Sequence, residues 1–310
     1  MSDDVRESGR GCARPGRPGR RPTIADVARQ AGVGAGTVSR VLNESPLVSA
    51  GTRRRVLDVM AELDYRPSSA ARQLSRGVTH TIGVLMSFFG NPSAVERLRG
   101  LMPQLSRAGY DFALADVESM EERDRAFAHL LDSSRVDAVL IVSLVPSQLE
   151  LDQLASATMP IVFLDRLQAG MPCVATDDVQ GGRIAAEHLI ALGHRRIAFI
   201  GDLPGRHFFT SSADRRTGFL QALSAAGIEP DPMLVVEAPN GRERAQAVAD
   251  RLLSLPERPT AVFAASDVQA FGVMEAARAR GLAVPDDLSV IGFDDIEAAG
   301  FVGLSTVRQP

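Results

Sequence analysis

Between residues 23 and 43 the apolar positions follow a helical period twice, with a glycine between the two runs. The apolar residues of the first run are Ile24, Val27, Ala28 and Ala31, and those of the second are Val38, Val41 and Leu42. Each set falls on one face of a helix. Thr23 and Asp26 have the spacing of a capping box, and Gly32 suits the positive φ that ends a helix. The pattern predicts two short helices joined by a tight turn.

The outward face of the second helix carries Thr37, Ser39 and Arg40. A helix held across another by a short turn, with small polar and arginine side chains outward, is typical of proteins that read the DNA major groove. From this segment alone, the alternative is an ordinary helical hairpin with a solvated face. A third helix is predicted over residues 50–63, with Ser49 as its cap.

Three consecutive arginines, Arg53, Arg54 and Arg55, lie in the early turns of this third helix. The helix dipole disfavours cations at that end. Their position is easier to explain if phosphates lie nearby, and the alternative is that they are only solvated. Pro67 disfavours helical backbone at Arg66 and therefore ends the unit.

From residue 80 onward, short apolar runs alternate with amphipathic helical segments. Nine runs predict strands: Thr81–Met86, Asp111–Asp116, Val136–Val142, Ile161–Asp165, Val174–Asp177, Ile197–Gly201, Leu234–Glu237, Ala261–Ser266 and Ser289–Asp294. Continuous apolar strands between helices indicate parallel sheets covered on both faces. Nine strands are too many for one small lobe. We therefore predict two doubly wound α/β lobes with a cleft between them, near residues 80–165 and 170–303.

The charge of the chain is unevenly distributed. Residues 1–76 hold 14 Arg against 8 Asp and Glu, a formal charge of +6, whereas the remainder holds 20 against 30, a formal charge of −10. A basic N-terminal quarter on an acidic body indicates a polyanion partner bound by one domain. Residues 1–22, rich in Arg, Gly and Pro, are predicted to form a disordered basic arm.

The cysteine content and the length of the apolar runs indicate the cellular compartment of the protein. Only Cys12 and Cys173 occur, which is neither a disulfide framework nor a metal motif and fits a reducing compartment. No apolar run approaches the roughly 20 residues that span a bilayer. Residues 1–22 lack the apolar core of a secretory signal. The sequence thus predicts a cytoplasmic protein without a membrane partner.

A series of ordered motifs extends the first segment through the rest of the chain. They read TIADVA, AGV, TVSRVLN, YRPSSAARQL, HTIGVLM, GHRRIAFIG, RRTGF, AASD, VPDDLSVIGFDD and STVRQP. With these motifs the chain resembles the LacI/GalR family of bacterial transcription regulators from about Pro22 to its last residue. The resemblance implies a small all-α helix-turn-helix DNA-binding domain plus an α/β two-lobed periplasmic-binding-protein-like effector domain.

The same resemblance implies the organisation of the chain. After the arm at 1–22 come a helix-turn-helix domain at 23–66, a hinge segment at 67–79 and an effector-binding and dimerisation domain at 80–310, whose residues 306–310 should cross back to the first lobe. It further implies a repressor that binds a palindromic double-stranded operator as a homodimer. A small-molecule effector, a sugar, would control this binding. Ligand in the cleft would change the lobe angle and thereby the hinge.

The positions that the resemblance assigns to DNA are Thr23, Ala35, Gly36, Thr37, Ser39, Arg40, Asn43 and Leu74. Leu74 matches a leucine that the family wedges into the minor groove at the centre of the site, an apolar insertion that kinks DNA. The alternative for Leu74 is a small contact onto the body of the protein.

The positions assigned to the effector are Phe88, Phe89, Asp165, Asp177, Arg215, Asp267 and Asp294. Ligands of open α/β sheets bind at the carboxyl ends of strands, where these aspartates fall, although single aspartates there are often only helix caps. Arg215 and Asp267 match the family's effector-binding Arg and Asp. A guanidinium donating to vicinal hydroxyls opposite an accepting carboxylate suits a sugar. The two phenylalanines supply an apolar wall or pack into the core.

The sequence departs from the family pattern in two places. Gly34, Ala35 and Gly36 stand where a Ser cap and a base-reading residue are usual. Direct readout then falls chiefly on Arg40 with Thr37 and Ser39, while Ala35 is left to contact a thymine methyl. Family members also continue past the position of Pro310 by a helix and a final strand, so we expect exposed apolar surface on the first lobe and weakened dimerisation.

Two other classes of protein compete with a regulator. A purely sugar-binding protein predicts a signal peptide and no helix-turn-helix. An α/β enzyme predicts a catalytic set, yet the glycines at 32–36 do not follow a strand and fail the dinucleotide fingerprint, and no phosphate loop or nucleophile elbow occurs. The five histidines lack ligand spacing. We predict no catalytic residues, no metal and no cofactor.

Overall fold

The computed structural model describes residues 22–65, 78–87, 89–117, 119–203 and 210–310. These residues fall into two compact units, divided between residues 77 and 78. The first unit is helical, and the second consists of two α/β lobes. In the part of the chain that is described, no helix is both long and apolar enough to cross a membrane.

The first unit contains the three predicted helices. They are α1 (Ile24–Ala31), α2 (Ala35–Leu42) and α3 (Ala50–Glu62). Thr23 and Asp26 form the predicted capping box, and hydrogen bonds from Thr23 lower the pKa of Asp26 to about 2. Gly32 ends α1 with φ of 66°. The small core consists of Val27, Ala28, Ala31, Val38, Val41, Val56, Val59 and Tyr65, so the predicted inward faces are confirmed.

One of the three adjacent arginines has a structural partner inside this unit. The guanidinium of Arg53 donates to the carbonyl oxygens of Ser45 at 2.7 Å and Val41 at 3.4 Å. It therefore stabilises the C-terminal end of α2, where carbonyls lack helical partners. Arg53 therefore has partners within the fold, which neither nearby phosphates nor simple solvation predicted, whereas Arg54 and Arg55 are exposed.

The first lobe is a five-stranded sheet in the order β2-β1-β3-β4-β5, in which every neighbouring pair is parallel. Its elements in chain order are β1 (Thr81–Met86), α4 (Pro92–Arg107), β2 (Asp111–Asp116), α5 (Met120–Leu130), β3 (Ala138–Val142), α6 (Gln148–Ser156), β4 (Ile161–Leu164) and β5 (Cys173–Val174). Strand β1 is buried almost throughout because helices cover both faces of the sheet.

The second lobe repeats this architecture in the order β10-β9-β8-β6-β7, also with parallel neighbours. Its elements are α7 (Asp178–Ala191), β6 (Ile197–Asp202), α8 (Ser211–Ala225), β7 (Val235–Ala238), α9 (Arg242–Leu253), β8 (Ala261–Ala264), α10 (Asp267–Ala279), β9 (Ser289–Asp294), α11 (Glu297–Val302) and β10 (Ser305–Arg308). Each of the nine predicted strands has a counterpart: β3, β4 and β8 are shorter than predicted, β6 is one residue longer, β7 is shifted by one residue, and β5 shares only Val174 with its prediction.

The tenth strand corrects the predicted return to the first lobe. Strand β10 pairs in parallel with β9, from Ser305 opposite Ile291 to Arg308 opposite Asp294. Edge pairing satisfies backbone groups that a direct crossing would leave without partners. The prediction that the chain leaves the second lobe at residue 306 is therefore wrong, although the side chain of Gln309 reaches across to Arg97 of α4.

Candidate effector cleft and DNA-reading helix

A cleft of about 500 Å³, open solvent at its mouth included, lies between the two lobes. Its walls come from the carboxyl ends of strands in both sheets and from the helices that follow them, where ligands of such folds bind. The first lobe contributes Met86, Ser87, Asn91, Ser93, Ala94, Arg97, Ser143 and Asp165, and the second contributes Asp202, Ser211, Arg215, Asn240, Ser266 and Asp294. Three of the predicted effector residues therefore line one cavity: Asp165, Arg215 and Asp294.

Arg215 is held rigidly at the floor of the cleft. Its Nε donates to Asp178 Oδ1 at 2.8 Å, its Nη1 donates to the Ala265 carbonyl at 2.5 Å, and its guanidinium lies 3.6 Å from the centre of the Phe293 ring. Burial works against the charged form, but the carboxylates of Asp178 and Asp294 raise the pKa of Arg215. The side chain is thus a permanent cation whose orientation is fixed before any ligand arrives.

Asp294 lies beside this arginine at the end of β9. Its Oδ1 is 3.8 Å from Arg215 Nη1 and accepts a hydrogen bond from Gln309 Nε2 at 2.6 Å. Its φ of 120° is unusual for a residue with a side chain and turns the chain sharply. Burial raises the pKa of Asp294 to about 6, although the charge of Arg215 acts in the opposite direction.

Asp165 occupies the corresponding place in the first lobe. Its Oδ2 is 2.8 Å from Arg97 Nη2 and accepts from Ser143 Oγ at 2.7 Å. Its other oxygen, Oδ1, is buried without a hydrogen-bond partner, as is Ser87 Oγ. Buried polar atoms normally have partners. Two such atoms in the wall of one cleft indicate a site that a polar ligand completes.

Sequence reasoning missed Asp202, which lines the cleft at the end of β6. Its Oδ1 accepts from Gln269 Nε2 at 2.9 Å, and its backbone N–H donates to Ser212 Oγ at 2.8 Å. Burial raises the pKa of Asp202 to about 6. The signal in the sequence was an aspartate directly after the apolar run of β6, the same signal that singled out Asp165.

Asp267 does not contribute to the cleft wall. It is fully buried, and its carboxylate accepts from Thr306 Oγ1 at 2.6 Å and from the Ile296 N–H at 3.0 Å. A Cβ at Gly292 would lie 2.2 Å from Asp267 Oδ1. The predicted contact with effector hydroxyls conflicts with this geometry, because both oxygens already bind the segments that follow β9. Its neighbour Ser266 lines the cleft and caps α10.

The remaining predicted effector residues lie elsewhere. Asp177 is exposed and caps α7 by accepting from the Gln180 N–H at 2.9 Å, so its alternative as a helix cap describes it. Phe89 is 41% exposed, and its N–H donates to Asp116 Oδ1 at 3.1 Å, outside the cleft wall. Phe88 falls outside the described residues.

The outward face of helix α2 carries few side chains that can form hydrogen bonds. Ala35, Gly36 and Arg40 are exposed, and Thr37 and Ser39 are half-buried. No atom lies within 4 Å of a Cβ built on Gly36, so the space in front of it is open. Gly34 caps the helix without a side-chain bond.

Other DNA positions have roles within the fold. The Thr23 hydroxyl donates to Asp26 at 2.7 Å, and Asn43 caps the end of α2. Leu74 falls outside the described residues. The contacts of all these positions with DNA remain predictions.

The fold and the site define a DNA-binding regulator with a ligand-binding domain of two lobes. The family "Bacterial regulatory proteins, lacI family" matches residues 23–68, and "Periplasmic binding protein-like domain" matches residues 186–310. The HTH-type transcriptional repressor PurR of Photobacterium profundum is 34% identical over 296 residues, which cover 93% of this chain and 87% of that protein. DegA of Bacillus subtilis, a transcriptional regulator, is 35% identical with coverages of 93% and 86%.

Solved structures of transcriptional regulators are similar to this chain as well. The Lac repressor dimer bound to operator and the anti-inducer ONPF is similar with a TM-score of 0.81 at 30% identity, covering 94% of this chain and 88% of that one. A complex of the transcriptional regulator CelR with cellobiose is similar with a TM-score of 0.67 at 35% identity and the same coverages. The chain belongs to the LacI family, whose members are DNA-binding transcriptional regulators and not enzymes. Among the described residues, no cluster of three His, Cys, Asp or Glu is arranged to hold a metal ion.

Proposed function

We propose that this chain is a repressor that binds a palindromic operator as a homodimer. A small polyhydroxylated effector, a sugar, changes its affinity for the operator. The observation that carries the proposal is the unsatisfied wall of the cleft. Asp165 Oδ1 and Ser87 Oγ lack partners there, and the fixed guanidinium of Arg215 faces the same space. A ligand with hydroxyl groups on several faces both donates and accepts, and so satisfies them.

A purine is the alternative effector, because the relatives of this chain include PurR repressors. The side chains that line the cleft favour a sugar. Five serines and two asparagines line the cleft, and no described lining residue is aromatic. The described ring nearest the floor, Phe293, has its face covered by Arg215. A planar base needs an apolar or aromatic surface to lie on, whereas the hydroxyls of a sugar can both donate to and accept from the serines and asparagines of this wall. Among similar proteins, CelR is seen with cellobiose.

A hydrogen-bonded link between the lobes supports an effector-driven change of lobe angle. Gln309 accepts from Arg97 of the first lobe at 3.0 Å and donates to Asp294 of the second. Both partners line the cleft, and Arg97 also pairs with Asp165. A ligand that takes over these hydrogen bonds favours one lobe angle over the other, and that preference is what shifts an equilibrium. We infer that the hinge segment 67–79 passes this difference to the operator-binding unit.

An exposed apolar surface on the second lobe supports self-association. Phe301 is 84% exposed and Val302 is 49% exposed. Val302 adjoins a depression lined also by Phe271, Met274 and Leu282. Apolar surface of this kind is commonly an interface, and the proposed two-fold operator needs a two-fold protein. Sedimentation analysis of Phe301→Asp beside the unchanged chain tests this, with a shift toward monomer expected.

Selection from random duplex DNA followed by titration tests the whole proposal. The selected motif should be two-fold symmetric, and binding should weaken steeply with salt because arginine–phosphate contacts release counterions. A thermal-shift panel of sugars and nucleobases then identifies the ligand class, since a ligand that binds only the folded state raises its stability. Binding of nucleobases but of no sugar would replace the sugar by a purine, and an asymmetric motif would contradict the dimer.

A further inference from the structure

The charges in and directly beneath the cleft do not cancel. Two arginines, Arg97 and Arg215, stand against four carboxylates: Asp165, Asp178, Asp202 and Asp294. The other lining side chains are hydroxyls, amides and small apolar groups. The region therefore carries a surplus of negative charge inside a protein cavity, where water compensates it poorly.

The pairing of these groups identifies where the surplus lies. Asp165 pairs with Arg97 at 2.8 Å, and Asp178 pairs with Arg215 at 2.8 Å. Asp294 shares Arg215 at the longer distance of 3.8 Å. Asp202 forms no ion pair with any described residue, and its side chain accepts instead from the neutral amide of Gln269. Among the described residues, one carboxylate of the wall thus has no cation of its own, and a second shares one.

The buried position of Asp202 disfavours the ionised form of its carboxyl group. Burial raises its pKa to about 6, and the charge of Arg215 offsets only part of that effect. At neutral pH the group is still mostly ionised, so a desolvated carboxylate faces the cleft. The Gln269 amide fixes one oxygen, Oδ1.

A second observation shows that the cleft is built for a ligand. Asp165 Oδ1 and Ser87 Oγ are buried without partners in the opposite wall, although the Asp165 side chain is only 5% exposed and Ser87 only 3%. Carboxylate oxygens accept and never donate. Asp165 Oδ1 in the first-lobe wall and the Asp202 carboxylate in the second therefore favour a ligand rich in donors, and the surplus of negative charge among the described groups disfavours an anionic one.

We propose that the effector is a polyhydroxylated compound that carries a protonated amine, such as an amino sugar, and that Asp202 is the carboxylate that binds the ammonium group. The inference rests on the proposed function, because it refines the sugar class assigned to the same cleft. Hydroxyls of the ligand reach Asp165, Ser87 and Arg215, and the ammonium pairs with Asp202, which has no ion-pair partner among the described residues. Gln269 acts as a positioning residue for Asp202.

Matched sugar pairs test the proposal on the full-length chain. Glucose and glucosamine, galactose and galactosamine, and mannose and mannosamine differ only in one hydroxyl replaced by an amine. Titration calorimetry at about pH 7, where carboxylates and ammonium groups are mainly ionised, should show at least one amino sugar binding about tenfold or more tightly than its neutral partner. Asp202→Asn should remove that preference, so that the amino sugar and its neutral partner bind this variant with similar affinity.

Asp152→Asn is the matched control. Asp152 is exposed on α6, outside the cleft, and accepts a side-chain amide from Gln148 at 3.0 Å, as Asp202 does from Gln269. This variant should keep the amine preference of the unchanged chain. If Asp202→Asn fails to unfold cooperatively, Asp202→Ser takes its place.

The outcomes separate this inference from the proposed function. Neutral sugars that bind as tightly as their amino partners overturn the inference and leave the sugar effector standing. An amine preference that survives in both Asp202 variants also overturns it. Absence of binding by every sugar, neutral and amino alike, overturns the sugar effector and the inference together.

Discussion

At the scale of single residues, the role of an aspartate depends more on the contacts of its carboxylate oxygens than on its position in the chain. Asp267 and Asp202 both adjoin a strand end of the second lobe, yet only Asp202 lines the cleft. Asp267 instead accepts from Thr306 and from Ile296. The two aspartates therefore call for different tests.

Asp267→Asn should lower the free energy of unfolding by about 1.5–3 kcal/mol, because the amide nitrogen that replaces one carboxylate oxygen cannot accept, so either the Thr306 hydroxyl or the Ile296 N–H loses its charge-assisted hydrogen bond. Chemical unfolding of the ligand-free chain measures this. Asp177→Asn is the control and should change little, since Asn caps a helix as well as Asp. Equal stability of Asp267→Asn and the unchanged chain would contradict the structural role.

Arg40→Ala should weaken binding of the selected operator by about 1–3 kcal/mol and relax the preference at one symmetric base position, if Arg40 binds a guanine edge. Arg40 is exposed on α2, on the face that the sequence predicts to read DNA. Arg54→Ala is the control, since Arg54 is exposed on α3 and should affect all sequences alike. Repeating the selection with each variant distinguishes the two. A uniform loss for Arg40→Ala would make it a phosphate contact instead.

At the scale of elements, α2 in the helical first unit has few of the features that stabilise a helix on its own. Gly36 lies in its first turn, and its cap Gly34 makes no side-chain hydrogen bond. Arg53 of α3 donates to the Val41 carbonyl near its end. The helix is therefore held by its apolar face and by α3 more than by its own propensity.

Gly36→Ala should raise the stability of this unit by up to about 1 kcal/mol, because the position is helical and the space in front of it is open. Gly32→Ala is the matched comparison and should destabilise the unit, since Gly32 has φ of 66°. Thermal unfolding followed by helical circular dichroism reports both. A Gly36→Ala variant that melts below the unchanged chain would show that the glycine serves a conformation other than this helix.

At the scale of the whole molecule, buried carboxyls of the cleft couple stability to pH. Burial raises the pKa of Asp202 and of Asp294 from 3.8 to about 6. The folded state then binds protons more tightly than the unfolded chain does. These groups favour folding below pH 3.8, and that contribution is lost as pH rises through about 6.

The free energy of unfolding of the ligand-free chain should therefore fall as pH rises from about 4.5 to 7, by an amount on the order of 1–3 kcal/mol per carboxyl. Asp202→Asn should flatten this dependence. Asp26 and Glu150, whose pKa values are lowered, act in the opposite direction but at more acidic pH. Denaturant unfolding curves across this range provide the measurement, and stability that rises through it would contradict the assignment.

The sequence by itself determined the elements and the class of protein. Helical periods, the capping box at Thr23 and the continuous apolar strands arise from contacts between residues close in the chain, and such contacts are written directly into the pattern of residues. The three helices and the strands were predicted in this way, whereas membership of the LacI family was predicted from the resemblance of its ordered motifs. Asp165 and Asp294 line one cleft because the strand ends of parallel sheets meet at one edge. Arg215, which lines the same cleft from a helix, was named from the family resemblance.

Only the tertiary structure decided which of two adjacent side chains faces the cleft and which is buried behind it. Ser266 and Asp267 differ by one position, and their orientations depend on Thr306 and Ile296, which are distant in the chain. The pairing of β10 with β9 and the hydrogen bond from Gln269 to Asp202 likewise depend on distant neighbours. A local pattern carries no record of such contacts, because the energy of a buried polar group is set by whatever the fold brings beside it.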